Sequence, residues 1–449
     1  MKSFIAKLRK SSNFHSLVGN VSFAFFNSIT FLLMARTLSK DLFGEWIIYV
    51  TAASLLNMLR LGLIGTGAIR LISLAKDKDE EGYIGSAYKL GLTTFLFTVV
   101  LFYPAWFILK IYIPESYYYP VLLFYPILSL MVLPYNQATI VTQAKVQFAR
   151  LSLMKTIHGS SMLILIGLYV LLFEATIEGL LILHTISNFL PGIPALVKGW
   201  DGLKFYRKST KKHTAELLNF GKYSTLISVG SSLLRSADTF IISVSTVMGA
   251  ASIAIYAIPM KFVEAVEIPL RSFSATAYPR LSQAFGQGKA QFNAVLNNYN
   301  VKTTLAILPI VLILLVLSEP LLKFVGGAEY SDSLALQKQI LYIILVYILL
   351  LPSDRYTGVA LFALDKPVKN FYKTMMMLVA NVVFDLVAVF IFKSLLGVAF
   401  ATLIFTIIGV YYGWFFVQRE TGARISDLFT ESIKVSKSAL AKIRSKRPA

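Results

Sequence analysis

The stretch LLRSADTFIISVSTVMGAASIAIYAIPMKFVEAVEIPLRSFSATAYPRLSQ, residues 233–283, decides how the rest of this sequence is interpreted. It predicts two long apolar helices joined by a tight turn near Gly249. Six charged residues interrupt these helices at depths where hydrocarbon would surround them: Arg235, Asp238, Lys261, Glu264, Glu267 and Arg271. A charge at bilayer depth is costly and usually faces a partner or a water-filled cavity. The stretch therefore predicts a polar pocket or pathway inside a membrane protein.

The composition of the whole chain also indicates a membrane protein. Its 449 residues are 56% hydrophobic and 15% charged, and the mean hydropathy is +0.67. A soluble domain carries roughly a quarter charged residues. Apolar runs of about 20 residues, the length that crosses about 30 Å of hydrocarbon, recur down the chain. The short alternating segments of a β-barrel are not seen. We therefore predict an all-α polytopic membrane protein.

The apolar runs predict about twelve membrane spans. They lie near residues 16–35, 43–67, 84–109, 119–140, 151–173, 178–197, 220–247, 251–277, 300–323, 337–362, 370–392 and 396–417. Hydrophilic segments on the side of the N-terminus hold 31 Lys and Arg residues, whereas those on the opposite side hold 6. Because basic loops stay inside, both termini are predicted to be cytoplasmic. The formal charge of +20 is explained in the same way, so no nucleic-acid partner is expected.

The most basic cytoplasmic segment, residues 198–222, separates six predicted spans from six. Two parallel six-helix halves are a common transporter plan. We predict an N-terminal lobe at residues 1–200, a cytoplasmic linker at 201–219 and a C-terminal lobe at 220–420. A basic amphipathic cytoplasmic tail is predicted at residues 421–449.

The tail has two interpretations at this stage. Apolar residues fall roughly on one helical face opposite basic ones: Ile425, Leu428, Phe429, Ile433, Leu440 and Ile443 against Lys434, Lys437, Lys442 and Arg444. That pattern suits a helix lying on anionic lipid. A frayed basic tail that only enforces topology explains the same residues.

Signatures of catalysis are missing from the sequence. It contains no nucleotide-binding GxxxxGK[ST], no GxSxG and no HExxH motif. Cysteine is absent, which excludes thiol chemistry and cysteine-based metal sites. His158 and His184 lie in or near predicted spans and could relay protons, although interhelical hydrogen bonds explain them better. We therefore expect a protein that is not an enzyme and carries no cofactor or metal.

The charges at membrane depth are the candidate functional residues. Basic candidates for an anionic ligand are Arg60, Arg235, Lys261, Arg271 and Arg355. Acidic candidates for cation coupling are Asp238, Glu264, Glu267 and Asp385. Helical spacing pairs Arg235 with Asp238, Lys261 with Glu264, and Glu267 with Arg271. The charges can therefore be ion pairs within a bundle or the lining of a wet cavity. The arginines rank above the lysine for phosphate, because a guanidinium grips phosphate oxygens in a bidentate way.

Three segments resemble one known family. The first is LLMARTLSKDLFGEWIIYVTAASLLNMLRLGLIGTGAIRLIS at residues 32–73, with its ART-LS before a Phe-Gly pair. The second is an early Asp238 followed by Tyr256, Lys261 and AYPRLS at residues 277–282. The third is LGVAFAT at residues 396–402. In this order the chain resembles the bacterial O-antigen and exopolysaccharide flippases of the multidrug/oligosaccharidyl-lipid/polysaccharide superfamily.

The resemblance implies both an architecture and a function. It implies two six-helix lobes around a central cavity in the bacterial cytoplasmic (inner) membrane. The expected activity is translocation of undecaprenyl-diphosphate-linked oligosaccharide repeat units by alternating access, with the basic candidates above meeting the head group. The expected partners are that lipid-linked oligosaccharide, membrane lipids, a polysaccharide polymerase and a chain-length regulator. The alternative is a cation-coupled multidrug exporter of the same superfamily. The lipid II flippase is also similar, but typically has fourteen spans.

Overall fold

The computed structural model describes residues 12–113 and 116–444, and no strand occurs within these ranges. The side chains of 12–14, 16, 63, 222–228, 268, 271, 272, 275, 434, 436 and 438–444 lie outside the description. The described residues form sixteen α-helices: α1 Ser12–Thr37, α2 Lys40–Leu74, α3 Asp77–Tyr112, α4 Tyr119–Met131, α5 Leu133–Ala144, α6 Phe148–Leu172, α7 Ile177–Phe189, α8 Gly192–Val197, α9 Lys211–Ser243, α10 Gly249–Gly286, α11 Lys289–Val316, α12 Ser318–Gly326, α13 Leu334–Ala363, α14 Pro367–Leu386, α15 Leu395–Thr421 and α16 Asp427–Arg444. Short 3₁₀ turns lie at Leu203–Lys208 and Ala328–Tyr330, and a π-helical turn lies at Val387–Ile391.

Every predicted span falls on a helix or on a broken pair of helices. Among the described residues, ten helical segments are long and apolar enough to cross a membrane, and the pair α4–α5 makes an eleventh. The predicted span at 220–247 falls on α9, which is 33 residues long. The prediction of an all-α polytopic membrane protein is confirmed. The predicted spans agree with the observed helices because a helix within lipid satisfies all of its backbone hydrogen-bonding groups internally.

Proline explains where two of the spans break. Helices α4 and α5 meet at an angle of 47°, and Pro134 stands in the first turn of α5. Pro191 lies between α7 and α8. Proline has no N–H to donate and its ring clashes with the preceding turn. Other prolines that interrupt apolar runs stay inside continuous helices: Pro259, Pro269, Pro309 and Pro352.

The chain divides into two compact units, Met1–Leu233 (unit 1) and Leu234–Ala449 (unit 2), with the division inside α9. In unit 1, α1 packs mainly against α6, while α2 packs against α3 and α5. A Cβ atom at Gly19 of α1 would lie 2.8 Å from the Cα atom of Ser152 on α6. Small residues of this kind let membrane helices approach closely, where dispersion rather than water exclusion holds them together.

Unit 1 also contains the predicted linker. The 3₁₀ turn packs against α3, and His213 at the start of α9 lies against Gly82 of α3. Ser209 shares a hydrogen bond of 3.1 Å with Ser86, and the His213 ring lies 3.2 Å from an Asp79 carboxylate oxygen. Lys208 of the linker also forms an ion pair with Glu81 of α3. Acidic residues in the first turn of α3 stabilise the N-terminus of that helix.

In unit 2, α13 is the central helix. It packs against α10, α11 and α15, and α14 packs against α15. Gly413 of α15 leaves room for Thr357 of α13, because a Cβ atom at that glycine would overlap the threonine side chain. The candidate charges of unit 2 lie on α9, α10, α13 and α14, so the packing of these helices decides which charges meet.

Candidate functional site

The first group of candidate residues in unit 2 is a buried polar cluster, here called the aspartate cluster. It contains Asp238 of α9, Tyr256 of α10, Asn381 and Asp385 of α14, and Thr402 of α15. The amide nitrogen of Asn381 donates to Asp238 Oδ1 at 3.2 Å and to Asp385 Oδ2 at 2.8 Å. One side-chain amide therefore bridges two carboxylates on different helices.

The hydroxyl groups of the aspartate cluster complete the shell around Asp238. Tyr256 donates to Asp238 Oδ2 at 3.0 Å and lies 3.1 Å from the Thr402 hydroxyl. That threonine is 3.3 Å from the same carboxylate oxygen. Hydrogen bonds to a carboxylate are stronger than neutral ones and fix its position. Asp238 is therefore held by three neighbours from three other helices.

The chemistry of the aspartate cluster suits a small cation. All five residues are buried, and both Asn381 and Asp385 have zero exposure. The Oδ1 atoms of Asn381 and Asp385 are buried and accept no hydrogen bond within the described part of the chain. Two buried carboxylates this close repel each other when both are ionised. A proton or a cation that accepts oxygen ligands relieves that repulsion, and every side-chain group here except the amide nitrogen offers oxygen.

The second group brings together three charges from three helices, here called the Arg–Glu–Arg set. Arg235 of α9 and Arg355 of α13 flank the carboxylate of Glu267 on α10. The distances from guanidinium nitrogen to carboxylate oxygen are 3.8 Å and 3.9 Å. The glutamate side chain is 9% exposed, while the arginines are 55% and 39% exposed. Both contacts are longer than a hydrogen bond, so they are loose ion pairs.

Sequence spacing gave a different pairing for two of these residues. It paired Arg235 with Asp238 on the same helix, but the structure pairs Arg235 with Glu267 on α10, while the hydrogen bonds to Asp238 come from neutral groups. The local pair of Lys261 with Glu264 does form, at 2.5 Å. The side chain of Arg271, predicted to pair with Glu267, lies outside the described residues.

Arg60 belongs to unit 1 and has a different environment. Its guanidinium donates to the carbonyl oxygens of Ser129 at 3.0 Å and Gly91 at 3.3 Å. It also donates to the hydroxyl of Thr94 at 3.3 Å. The side chain is buried, and these contacts join α2, α3 and α4. They favour a role in holding unit 1 together.

The candidate charges chosen from the sequence do not include one buried lysine, Lys373, although it lies within the predicted span 370–392. Lys373 lies in α14 with only 3% exposure. Its ammonium group is 2.6 Å from Asp354 Oδ1 and 2.7 Å from the Asp354 carbonyl oxygen of α13. Its position near the start of the predicted span gives no sign of this burial, because a lysine near a span end usually extends its ammonium group to the membrane surface.

The histidines in the membrane spans lie in unit 1 among aromatic rings. His184 of α7 contacts the rings of Trp46 and Tyr49 edge to face, with centroids 5.2 Å and 5.8 Å away. His158 of α6 lies 5.0 Å from the Phe23 ring and 5.4 Å from the Tyr135 ring. These contacts place both histidines in the packing between helices.

Two members of the aspartate cluster were not singled out from the sequence. Asn381 and Thr402 are neutral, and an amide or hydroxyl in a membrane span is equally expected to join two helices. A usable signal did exist, because Asn381 and Asp385 are four residues apart and share one helical face. Thr402 closes the third segment that resembles the flippase family.

Comparison with known sequences identifies a family. Residues 33–335 match the family described as polysaccharide biosynthesis protein. The matched region includes the linker, Asp238, Tyr256 and Glu267. No curated protein sequence matches the chain.

Comparison with solved structures shows the fold. A structure of the lipid II flippase MurJ in an inward closed conformation has a TM-score of 0.73 at 16% identity, covering 97% of this chain and 93% of that one. An inward-facing multidrug resistance MATE family transporter of the MOP superfamily has a TM-score of 0.71 at 13% identity, covering 90% and 98%. A MOP superfamily transporter from Pyrococcus furiosus has a TM-score of 0.61 at 13% identity, covering 92% and 97%. The chain has the fold of these transporters.

Proposed function

The chain belongs to the family of polysaccharide biosynthesis proteins, and from that premise we propose that it is a flippase for lipid-linked oligosaccharides. In this proposal it moves undecaprenyl-diphosphate-linked repeat units across the bacterial cytoplasmic membrane by alternating access. The units then serve the synthesis of O-antigen, capsule or exopolysaccharide. Both termini lie in the cytoplasm, as the distribution of basic residues predicts.

The Arg–Glu–Arg set is the observation that carries the proposal. Two partly exposed guanidinium groups from two different helices share one buried carboxylate at 3.8 Å and 3.9 Å. The Nε atom of Arg355 is buried and has no hydrogen-bond acceptor in the described part of the chain. A diphosphate offers several acceptor oxygens, and planar guanidinium groups bind such oxygens in pairs. The diphosphate therefore displaces the loose contacts to Glu267 and takes both arginines.

In this proposal, Glu267 compensates the charge of the empty site and weakens the binding of the substrate. Without the substrate, its carboxylate partly compensates the positive charges of Arg235 and Arg355. With the substrate, it repels the diphosphate and lowers its affinity. A transporter must release its substrate as well as bind it, and a built-in competing anion helps release.

The aspartate cluster supplies the coupling site in this proposal. It is buried, contains two carboxylates and has two oxygen atoms without donors in the described part of the chain. Binding of a proton or a small cation there changes its net charge and the contacts among α9, α10, α14 and α15. Coupling through such a change requires only that the two states of the protein differ in affinity for the cation.

A deletion and complementation experiment tests the proposal. Deleting the gene should make lipid-linked repeat units accumulate in the cytoplasmic leaflet and abolish surface polysaccharide. The wild-type gene should restore both, and the double variant Arg235→Ala with Arg355→Ala should not, although membrane levels of the protein stay normal. Lys323→Ala is the matched control, because Lys323 is 59% exposed and pairs only with Glu319 on its own helix among the described ion pairs.

The same strains distinguish flipping from drug export. Multidrug export predicts that the deletion strain becomes sensitive to cationic or amphipathic drugs while surface polysaccharide remains normal. That result in a strain with no second flippase would contradict the proposal. Unchanged drug sensitivity together with lost polysaccharide supports it.

A further inference from the structure

The C-terminal helix α16 carries an apolar face that nothing in the described protein covers. Phe429 is 75% exposed and Ile433 is 56% exposed, four residues apart on one side of the helix. Ile425, just before the helix, is 50% exposed and continues the same spacing. Side chains four residues apart lie one above the other on a helix. They form a single apolar stripe, here called the tail stripe.

Helix α16 packs against the membrane helix α11, and one hydrogen bond joins α11 to α16 while another joins α11 to the end of the preceding helix α15. The amide of Asn293 donates to the carbonyl oxygen of Thr421, the last residue of α15, at 3.1 Å. The amide of Asn298 donates to a carboxylate oxygen of Glu431 at 3.2 Å. The helix therefore lies against a membrane-spanning helix, directly after another span ends.

The exposure of the tail stripe matches that of side chains that face lipid. On α15, which is long and apolar enough to span a membrane, Ile407 is 50% exposed and Tyr411 is 63% exposed. Phe429 and Ile433 fall in the same range or above it. Isolated exposed apolar residues need no explanation, but a contiguous stripe beside a membrane helix indicates a surface that water does not cover.

The positive charge of the tail favours contact with anionic lipid. Residues 421–449 hold seven Lys or Arg and two acidic residues. Both acids are engaged within the protein, since Glu431 accepts from Asn298 and Asp427 accepts from the Arg424 backbone N–H at 2.9 Å. Lys437 and Arg424 are exposed. A juxtamembrane basic segment is attracted to anionic lipid by about 1 kcal/mol per Lys or Arg.

We propose that α16 is a docking helix for anionic phospholipid, with the tail stripe inserted between acyl chains and its basic residues on the head groups. The apolar face, the basic flank and the tether to a membrane helix together meet the requirements of an interfacial helix. The proposal assigns this occupant independently of the transported substrate. It fixes the ends of α11 and α15 to the membrane surface, so the lipid composition controls how firmly those helices are held.

Site-directed fluorescence tests the proposal on the full-length protein. The natural sequence contains no cysteine, so one introduced cysteine takes one label. Phe429→Cys and Ile433→Cys report on the tail stripe, and Thr430→Cys is the matched control, exposed on a neighbouring face of α16. Each variant carries an environment-sensitive dye and is placed in nanodiscs of phosphatidylcholine with or without phosphatidylglycerol.

The expected result has two parts. In phosphatidylglycerol nanodiscs, lipids brominated near the head group should quench the dye at 429 and 433 strongly, and aqueous iodide should quench the dye at 430. Removing phosphatidylglycerol, or introducing Lys437→Glu, should weaken lipid quenching at 433. Both leaflets of a nanodisc have the same lipids, so the outcome is independent of the orientation and of the flippase proposal.

Three outcomes would overturn the inference. Equal iodide quenching at 429, 430 and 433 means that the helix stands in water. Protection from both quenchers means that protein covers the tail stripe. Lipid quenching that is the same with and without phosphatidylglycerol removes the role of anionic lipid.

Discussion

Replacing Asn381 with leucine isolates the bridge at the centre of the aspartate cluster. The amide nitrogen of Asn381 donates to Asp238 at 3.2 Å and to Asp385 at 2.8 Å, and the residue has zero exposure. Leucine has a similar size but offers no donor. The variant Asn381→Leu therefore leaves two buried carboxylates facing each other without their shared hydrogen-bond donor.

The magnitude follows from the two hydrogen bonds that are lost. A hydrogen bond to a charged group contributes about 1.5–3 kcal/mol, so the variant should lose about 3–6 kcal/mol when the carboxylates are ionised. For a unit of 150–250 residues, each kcal/mol shifts the melting temperature by about 2–4 °C. Unit 2, Leu234–Ala449, falls in that range. We expect the melting temperature to fall by at least about 6 °C.

Thermal unfolding followed by tryptophan fluorescence measures this change in detergent, since the chain has four tryptophans. Asn300→Leu is the matched control, because Asn300 is also buried but its amide nitrogen has no acceptor in the described part of the chain. If a cation binds the cluster and its concentration is 100 times its dissociation constant, it adds about 2.7 kcal/mol to the free energy of unfolding of the wild type. We expect either sodium or a lowered pH to raise the melting temperature of the wild type. If the cluster is specific for one cation, only one of the two conditions should do so.

The reasoning fails if Asn381→Leu and Asn300→Leu melt at the same temperature. It also fails if neither sodium nor lowered pH distinguishes the wild type from Asn381→Leu. In either case the two aspartates do not depend on the amide bridge, and the cluster is an ordinary packing contact.

Three further predictions concern other parts of the chain. Lys373→Met should destabilise unit 2 by about 3–5 kcal/mol because it leaves Asp354 uncompensated, whereas adding Asp354→Asn should recover most of the loss in a double-mutant cycle measured by thermal unfolding. Burial raises the pKa of Asp201, a carboxyl outside the membrane spans. The folded protein therefore favours the protonated form of this carboxyl, and that contribution to stability is lost as the pH rises. Asp201→Asn should thus be more stable than the wild type at neutral pH but not in acid, which melting temperatures measured against pH would show. Arg355→Lys should leave surface polysaccharide between the wild-type and Arg355→Ala levels, because lysine keeps the charge but not the paired donors, and equal loss in both variants would show that the planar guanidinium is required.

The helices could be predicted from the sequence because one physical constraint sets their length. A run of about 20 apolar residues crosses the bilayer, so all twelve predicted spans fall on helices. Pro134 and Pro191 lie at two breaks, because proline lacks a backbone donor. The sequence alone does not separate them from the prolines inside continuous helices, where neighbouring helices and water can satisfy the freed carbonyl.

The partners of the buried charges could not be predicted, because they depend on packing between helices. Spacing along one helix found Lys261 and Glu264, which do pair. It could not find that Arg235 meets Glu267 on another helix, or that Lys373 meets Asp354. Pairing by sequence distance sees only neighbours three or four residues apart. The sequence therefore identified the charged residues as candidates but did not show which of them contact one another.

The grouping gives a physical reason for coupling within unit 2. Arg235 and Asp238 lie three residues apart on α9, a rise of about 4.5 Å, yet one belongs to the Arg–Glu–Arg set and the other to the aspartate cluster. Helix α10 likewise contributes Glu267 to the Arg–Glu–Arg set and Tyr256 to the aspartate cluster. Any change in the packing of α9 against α10 must alter both groups at once. Under the proposed function, a cation that tightens the aspartate cluster changes the distance between Arg235 and Glu267, and with it the affinity for an anionic head group. Linkage then requires that the head group alter cation affinity by the same factor.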